Sequence, residues 1–302
     1  MSYLYFPGCS LKSTGRHYEE SILAVFDNLG IPLEELDDWN CCGATSYMSI
    51  SELKAFALNA RNFALAEKQN SEGDTADMVV PCAACYLGLN KALHYLNEHE
   101  ELRGTINRAL DAGGLEYRGK VNIRHPLDVL VNDYGTDKIS EHVVRPLDGL
   151  KVACYYGCQL VRPFAEFDDQ HNPTTMNRIV KALGGTTIDW PLKTRCCGGS
   201  LTGTVKEVGQ RLSYILLHEA KKRGSDVIIT ACPLCQFNLE CYQSRIAKQY
   251  GNGSRIPVIY FTQLMGMAFG IEQKKLGMHR LFVKMQPSHE LRQLAGGQHV
   301  NS

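Results

Sequence analysis

Short apolar runs alternate with longer segments of helical periodicity along most of the chain. A run of three to six apolar residues that stops at glycine or proline is typical of a buried strand, whereas apolar residues at intervals of three and four are typical of a helix. In the first half this pattern predicts a strand at residues 3–6, helices at 18–28 and 52–68, a strand at 78–80, a helix through residue 96, a strand at 121–123 and a helical segment around 127–130.

The same order then starts again in the second half. The pattern predicts a strand at residues 151–156, helices at 176–183 and 206–222, and strands at 227–229 and 256–259. Strands that alternate with helices indicate βαβ units, so we expect an α/β protein with a mainly parallel sheet in each half. Leu53 and Ile215 fall on the apolar faces of their helices and are expected to face the core.

The repeat divides the chain into two units of domain size. We place the first domain at residues 1–148 and the second at 149–271. Residues 272–302 have no counterpart in the first half, and their polar end predicts a tail that is at most partly ordered, with an interaction role.

Charge and hydropathy exclude several function classes. The 302 residues include 32 basic and 32 acidic side chains, so the basic excess that is usual in nucleic-acid-binding proteins is absent. The longest apolar-leaning segment, residues 256–271, is interrupted by Pro257 and Gln263 and is shorter than the roughly 20 residues of a membrane span. No secretory signal is evident at the start, and we therefore expect a cytoplasmic protein without a transmembrane segment.

Ten of the twelve cysteines follow one five-cysteine pattern that is used twice. Each copy has a single cysteine, then a vicinal pair followed by glycine, then a Cys-x-x-Cys. The first copy comprises Cys9, Cys41, Cys42, Cys82 and Cys85, and the second comprises Cys158, Cys196, Cys197, Cys232 and Cys235. Without an export signal such clusters indicate metal ligands or redox groups, because cytosolic thiols are kept reduced and a disulfide scaffold is disfavoured.

Several of these cysteines directly follow predicted strands, although they are distant in sequence. Cys9, Cys82, Cys85, Cys158, Cys232 and Cys235 all come after strand ends. Because ligands bind at the carboxyl ends of the strands in open parallel sheets, we expect the cysteines to converge there.

Five thiolates in each half suit an iron–sulfur cluster better than the other sites considered. Structural zinc uses four ligands, often from two Cys-x-x-Cys motifs. Each half has only one such motif, which we call its hook. A thioredoxin-like site would use two of the five cysteines. Adjacent cysteines are better suited to a cofactor with several metal atoms, such as an iron–sulfur cluster, whose usual ligands are soft thiolates. An ordinary cubane uses four, so the fifth cysteine is either spare or belongs to an unusual cluster. The helix expected after each Cys-x-x-Cys would stabilise the negative charge.

Other residues near the pattern have weaker chemical indications. Cys154 and Cys241 lie outside it and are expected to be core thiols. His125 is expected to be a hydrogen-bonded structural histidine. Basic residues flank the cysteines and would clamp an anionic substrate, with solvated surface residues as the alternative. They are Lys12, Arg16, His17, Arg162, Lys193 and Arg195.

The complete pattern resembles the duplicated cysteine-rich CCG domain that defines the B subunit of heterodisulfide reductase. The resemblance covers about residues 3 to 270 and includes Phe6-Pro7-Gly8-Cys9, Trp39-Asn40-Cys41-Cys42-Gly43, Tyr155-Tyr156-Gly157-Cys158 and Arg195-Cys196-Cys197-Gly198-Gly199. It implies two Rossmann-like domains related by a pseudo-twofold axis. Iron–sulfur subunits of some dehydrogenases share the domain but usually add ferredoxin-like Cys-x-x-Cys-x-x-Cys runs, which are missing here.

The resemblance also implies a cofactor, a reaction and partners. It implies two noncubane [4Fe-4S] clusters, each bound by the five cysteines of one copy, with a substrate disulfide cleaved or formed between them. Electrons would come from a ferredoxin-like C subunit that is supplied by a flavin-containing A subunit. No motif identifies the disulfide, which would be a small molecule or protein-bound.

Two other functional classes stay open at this point. The chain could be an electron-transfer iron–sulfur subunit of a dehydrogenase complex that never binds substrate, or a metal-stabilised scaffold that holds zinc. Retention of all five cysteines in both copies favours the disulfide reaction, since an electron relay needs only ordinary cubanes.

Overall fold

Each half of the chain folds around a four-stranded sheet whose strands are all parallel. The structure is a computed structural model that describes residues 3–44, 46–70, 74–251 and 255–285. The strands are β1 (Tyr3–Tyr5), β2 (Leu33–Glu35), β3 (Ala76–Val79), β4 (Val121–Arg124), β5 (Lys151–Tyr155), β6 (Thr186–Thr187), β7 (Val227–Thr230) and β8 (Val258–Tyr260). Their order is β2-β1-β3-β4 in the first sheet and β6-β5-β7-β8 in the second. The predicted α/β fold with two Rossmann-like halves is confirmed.

Helices connect the strands of both sheets. They are α1 (Gly8–Leu11), α2 (Arg16–Asn28), α3 (Ser46–Ile50), α4 (Glu52–Gln69), α5 (Ala83–Glu98), α6 (Glu100–Leu110), α7 (Pro126–Asp128), α8 (Thr136–Glu141), α9 (Thr175–Ala182), α10 (Leu201–Thr204), α11 (Lys206–Lys222), α12 (Pro233–Cys241), α13 (Gln243–Tyr250) and α14 (Phe261–Ala268). A π-helical segment, Val129–Gly135, continues α7. The long predicted helices are all present, within a few residues of the expected ends.

The strand order creates a switch point in each sheet. In the first sheet Leu4 of β1 is paired with Glu34 of β2 on one side and with Met78 of β3 on the other. The second sheet repeats this arrangement, with Val152 of β5 between Thr187 and Val227. The chain therefore leaves β1 and β3, or β5 and β7, in opposite directions, which opens a crevice at their carboxyl ends.

Two of the four edge strands, β2 and β6, and some short helices were not predicted. β2 has the sequence Leu-Glu-Glu and β6 has Thr-Thr, and neither is an apolar run because edge strands need no buried faces. Two expectations about helix faces are wrong: Leu53 is 49% exposed and Ile215 is 40% exposed. In α11 the buried residues Ser213, Leu216, Leu217 and Ala220 fall on a stripe that excludes Ile215.

The two halves pack through a reciprocal exchange of helices. The helix after the first strand of the first half, α2, packs against α14, which follows the last strand of the second half. In the same way α9 of the second half packs against α7 and α8 of the first. The hydroxyls of Ser21 and Thr262 hydrogen bond across the first contact at 2.6 Å. This reciprocity is what a pseudo-twofold relation between the halves produces.

The segment that follows α14 lies across both halves. Arg280, in a 3-10 turn, pairs with Glu20 of α2 at 2.8 Å. The buried carboxylate of Glu240 on α12 accepts hydrogen bonds from the backbone N–H groups of Phe282 and Val283. Residues 272–285 of the predicted tail therefore contact α2 and α12, and residues 286–302 lie outside the described residues.

We expect removal of this buried carboxylate to weaken the fold measurably. Glu240→Ala would leave two backbone donors without their acceptor and the Gln236 amide with the carbonyl of Val258 alone, at a cost of about 1–3 kcal/mol in the free energy of unfolding. Denaturant titration of the purified protein measures it. The matched change Glu219→Ala removes a surface ion-pair partner of Arg223, and an equal loss in that control would contradict the assignment.

No helix in the described part of the chain is long and apolar enough to cross a membrane.

Candidate functional site

The ten patterned cysteines lie at the carboxyl edges of the two sheets. In the first half Cys9 is in α1, directly after β1, and Cys82 caps the N-terminus of α5, directly after β3. In the second half Cys232 caps α12 in the same way after β7. Because β1 and β3 are neighbours, the cysteines that follow them meet at the switch point of the sheet.

The five thiols of the first half form one connected group, which we call the first cysteine group. The sulfur of Cys42 lies 3.1 Å from that of Cys85, and the sulfur of Cys41 lies 3.8 Å from that of Cys9. Cys41 interacts with Cys42, and Cys82 interacts with Cys85. The vicinal pair thus joins the single cysteine to the Cys-x-x-Cys.

The second cysteine group repeats this arrangement. The sulfurs of Cys197 and Cys235 are 3.4 Å apart, and Cys196 interacts with both Cys197 and Cys158. Cys232 interacts with Cys235. Each sequence-predicted set of five is therefore brought together in space.

A glycine with a left-handed backbone lies against each group. Gly8 has φ of +68° and Gly157 has φ of +70°. A Cβ atom on Gly8 would lie 3.1 Å from the sulfur of Cys85, and one on Gly157 would lie 3.1 Å from that of Cys235. Glycine suits both positions because it tolerates positive φ and leaves room beside the sulfur.

The environment favours thiolate at one member of each vicinal pair. The neighbouring thiols of Cys41 and then Cys85 lower the pKa of Cys42 to about 4. The thiols of Cys196 and Cys235 lower the pKa of Cys197 well below its usual value. The backbone N–H of Gly199 donates to the sulfur of Cys197 at 3.4 Å, and such donors stabilise a negative sulfur.

In the first half, a helix terminus also favours thiolate at the first cysteine of the Cys-x-x-Cys. The pKa of Cys82 is lowered, first by the thiol of Cys85 and further by the backbone N–H groups of Cys85 and Ala84. These N–H groups belong to the first turn of α5, where backbone donors are free. A helix begins at each hook, as expected. The pKa values of Cys85 and Cys235, the second cysteines of the two hooks, are instead raised, first by the neighbouring thiols of Cys42 and Cys197.

The donor set consists of soft thiols, and it fits an iron–sulfur cluster. The short sulfur contacts run as a line from the single cysteine through the vicinal pair to the hook. Across the described ranges, no three or more Cys, His, Asp or Glu side chains are arranged to hold a metal ion. A line of five soft donors suits a group with several metal atoms, whose ligands bind different atoms.

The two cysteines outside the pattern differ from each other. Cys154 is fully buried in β5, and burial raises its pKa to about 12, as expected for a core thiol. Cys241 is the last residue of α12 and is half-buried. It therefore lies at the edge of the core rather than inside it.

The basic residues near the first group are already paired or uncharged. The ammonium of Lys12 lies 2.6 Å from Glu19 and 2.7 Å from Glu35. The guanidinium of Arg16 is exposed and lies 3.4 Å from Glu20. Burial lowers the pKa of His17 to about 4, so His17 is neutral at pH 7 and cannot supply the cationic clamp.

The basic residues near the second group have no acidic partner within the described residues, and one of them also has no hydrogen-bond partner there. Lys193 is buried and donates to Asn172 at 2.8 Å, and Arg162 donates to the carbonyl of Thr194. Arg195 is exposed beside Cys196, and its guanidinium has no side-chain or carbonyl partner within the described residues. Of the six candidates, Arg195 is therefore the one whose guanidinium is available to bind an anion.

His125 has the structural role that was expected. It is buried, its Nδ1 accepts from the N–H of Leu127 and its Nε2 donates to the carbonyl of Pro81, both at 3.1 Å. Burial lowers its pKa to about 3, which keeps the ring neutral. Its ring stacks on Phe167 of the second half at 5.7 Å, so it also supports the contact between halves.

Sequence reasoning missed a pair of tyrosines between the two groups. Tyr18 of α2 and Tyr260 of β8 are fully buried, and their rings stack at 4.0 Å with an interplanar angle of 4°. Tyr260 ends β8 at the same sheet edge as the cysteines, and that position was the available signal. Tyr18 carried no such signal, because its helix simply follows the loop after Cys9.

Comparison with known proteins identifies the repeated unit. The cysteine-rich CCG domain model matches residues 3–90 and again residues 152–240. The 8-methylmenaquinol:fumarate reductase membrane anchor subunit of Wolinella succinogenes is 33% identical, over 92% of this chain and 95% of that protein. The B subunit of the ferredoxin:CoB-CoM heterodisulfide reductase of Methanosarcina mazei is 30% identical, over 91% of each chain. A protein of Archaeoglobus profundus that is named as similar to the B subunit of heterodisulfide reductase is 29% identical, over 91% of this chain and 93% of that protein.

A solved structure shares the fold. The crystal structure of a hypothetical protein from Helicobacter pylori superimposes with a TM-score of 0.75 and 15% sequence identity. The match covers 94% of this chain and 52% of that one. At this level of identity the likeness concerns the fold alone.

Proposed function

The chain belongs to the family built on the duplicated cysteine-rich CCG domain, which includes the B subunit of heterodisulfide reductase, and on this premise we propose that it is the catalytic subunit of a heterodisulfide-reductase-like complex. Its reaction would be the reduction, or the reverse formation, of a disulfide. One observation carries the proposal: two equivalent groups of five thiols lie at the switch points of two pseudo-twofold-related sheets.

The two cysteine groups would hold the cofactors. Cys9, Cys41, Cys42, Cys82 and Cys85 would bind one [4Fe-4S] cluster, and Cys158, Cys196, Cys197, Cys232 and Cys235 would bind the other, both noncubane. When bound, the clusters would each supply one of the two electrons that cleavage of a disulfide needs. Neighbouring thiols, the helix N-terminus at Cys82 and the N–H of Gly199 favour the thiolate form of three of these ligands, Cys42, Cys82 and Cys197.

Both groups border the interface between the halves, which supports a shared substrate site. A Cβ atom on Gly15, in the loop after Cys9, would lie 3.3 Å from the Cβ of Pro233 in the second Cys-x-x-Cys. On the other side, Tyr86 follows Cys85 and contacts Phe167 of the loop after Cys158 at 6.0 Å. The loop of each half thus reaches the hook helix of the other half.

The family premise also supports partners and a location. We propose a ferredoxin-like C subunit and a flavin-containing A subunit as electron donors, and a cytoplasmic complex. Arg195 would attract an anionic group of the disulfide substrate to the second group. The Methanosarcina relative is named for ferredoxin and the CoB-CoM heterodisulfide, which gives this substrate class its first candidate.

A second candidate function rests on the Wolinella relative. That protein is named a membrane anchor subunit of a fumarate reductase, and its identity of 33% is similar to that of the heterodisulfide reductase subunits. In this alternative the chain would be an electron-transfer iron–sulfur subunit that binds no disulfide. The two functions differ in one property, which is whether a thiol reaches the clusters.

The first test is the metal and sulfide content of anaerobically purified protein. We expect about eight irons per chain with a matching amount of acid-labile sulfide, because two [4Fe-4S] clusters contain that number. After oxidation, addition of a thiol should change the electron paramagnetic resonance spectrum of the same sample.

The other outcomes separate the alternatives. Eight irons without a spectral response to thiol would support the electron-transfer subunit. Zinc without sulfide would contradict both redox functions and leave a metal-stabilised scaffold.

A further inference from the structure

Two tyrosine hydroxyls are buried between the halves without a protein partner. Tyr18 comes from the first half and Tyr260 from the second, and each side chain is fully buried. Neither hydroxyl has a hydrogen-bond partner in the described part of the chain. A buried polar group without a partner costs about as much free energy as a lost hydrogen bond, so two at one place call for an explanation.

Other buried tyrosines show that this fold normally satisfies its hydroxyls. Tyr155 donates to the carbonyl of Arg195 at 2.6 Å, Tyr156 donates to Asn177 at 3.0 Å, and Tyr117 donates to Asn97 at 3.0 Å. Tyr5 is a further exception, but it lies on β1 of the first half, whereas Tyr18 and Tyr260 stack across the contact between the halves. The orphaned pair at Tyr18 and Tyr260 is thus distinguished by its position.

That position is next to both cysteine groups. The N–H of Tyr18 donates to the carbonyl of Gly15 at 2.8 Å, and a Cβ atom on Gly15 would lie 3.3 Å from Pro233, in the second Cys-x-x-Cys. Tyr260 is paired with Thr230 at the end of β7, which leads to the same motif. The thiols of Cys82 and Cys232, one from each half, contribute to the raised pKa of both phenols, after burial. These two cysteines are the first members of the two Cys-x-x-Cys motifs. The electrostatic environment of the two hydroxyls therefore depends on both cysteine groups.

The packing around the pair is fixed rather than adaptable. The rings stack in parallel at 4.0 Å, and nearby the hydroxyls of Ser21 and Thr262 hydrogen bond between α2 and α14, the helix that begins directly after Tyr260. A phenol has a usual pKa of about 10, so both hydroxyls are protonated and can donate at cellular pH. Two rigid donors without a protein acceptor suit a ligand that brings its own acceptor.

We propose that the hydroxyls of Tyr18 and Tyr260 form a two-donor site that binds the sulfur atoms of the substrate between the two cysteine groups. The inference deepens the proposed function and rests on it. A thiolate or a disulfide sulfur accepts hydrogen bonds and carries no donor when deprotonated, which matches a site made of donors. Hydrogen bonds to a charged group are the stronger kind, so the pair would hold thiolate more firmly than the neutral thiol.

The test compares phenylalanine substitutions by thiol titration of cluster-loaded protein. Tyr18→Phe and Tyr260→Phe keep the stacked rings and remove one donor each. With 2-mercaptoethanol as the probe, we expect each change to raise the half-saturating thiol concentration for the paramagnetic resonance signal about tenfold. Iron content should stay at the wild-type value, and the melting temperature should not fall, since no protein hydrogen bond is lost.

Two control variants bracket this result. Tyr5→Phe also removes a buried, unpartnered hydroxyl, but one outside the stacked pair, and it should leave the thiol titration unchanged. Tyr156→Phe removes a hydroxyl that is hydrogen-bonded to Asn177 and to the N–H of Met176, so it should lower the melting temperature without changing the titration.

The outcomes separate this inference from the proposed function. Wild-type protein without a thiol response overturns the proposed function and this inference with it. A wild-type response that both phenylalanine variants retain at the same thiol concentration overturns the inference alone and assigns the hydroxyls to water. A lower melting temperature in Tyr18→Phe or Tyr260→Phe would show that the hydroxyls have protein partners, which also contradicts it.

Discussion

Replacement of Cys197 with serine is expected to remove about half of the iron from the purified protein. Cys197 is the buried member of its vicinal pair and lies 3.4 Å from Cys235, so it joins the two ends of the second cysteine group. A serine hydroxyl is a harder and far less acidic ligand than a thiol and would not replace it. We expect about four irons per chain to remain, held by the first group.

The equivalent change in the first half tests the same prediction at the other cysteine group. Cys42→Ser should remove the other half of the iron, and the double variant should contain almost none, because the groups bind independently. Iron and acid-labile sulfide analysis measures all three. The control is Cys154→Ser, which changes a buried cysteine outside the pattern and should keep the full iron content. If either single variant lost all of the iron, the two groups would not be separate sites.

The convergence of the cysteines could be predicted from the sequence because the cysteine pattern and the strand pattern agree. Cys9 and Cys82 follow strands that are neighbours in the sheet, so the sequence order of strands and thiols already implies that these cysteines meet. The vicinal pair follows no strand, and its position depends on the loop after β2. The structure adds that Cys42 is the residue that contacts the hook.

Sequence patterns could not predict which charged side chains form ion pairs. Lys12 was a candidate clamp because it lies near Cys9, yet its partners Glu19 and Glu35 come from α2 and β2. Tertiary packing also decides the charge of His17, whose burial lowers its pKa to about 4. Proximity in sequence indicates which charges could be present, and the environment that the fold creates decides which remain available.

The contact between the halves was also unpredictable, for a related reason. Periodicity shows that α2 and α14 have apolar faces, but both faces would be equally well buried against their own sheet. The pairing of Ser21 with Thr262, and of Tyr18 with Tyr260, depends on the reciprocal exchange of helices. An internal duplication is a reason to expect such an exchange, and the structure identifies the residues that form it.

The glycines beside the cysteine groups offer a test of the site that leaves every sulfur in place. Gly8→Ala should disturb the first group, because its Cβ atom would lie 3.1 Å from the sulfur of Cys85 and would displace it by a few tenths of an ångström. We expect the iron content to fall by up to half, with the loss confined to the first group. Iron analysis of Gly8→Ala in the Cys197→Ser background, which retains the first group alone, would then approach zero.

Gly30 provides a control that is matched in backbone conformation. Its φ of +67° is almost that of Gly8, at +68°, but a Cβ atom there would have no neighbour within 4 Å. Alanine should therefore cost each position about 1–2 kcal/mol of folding stability through the left-handed backbone. Only Gly8→Ala should also lose iron. If Gly30→Ala lost as much iron as Gly8→Ala, backbone strain would explain both results, and the close approach of Gly8 to Cys85 would have no role in holding the cluster.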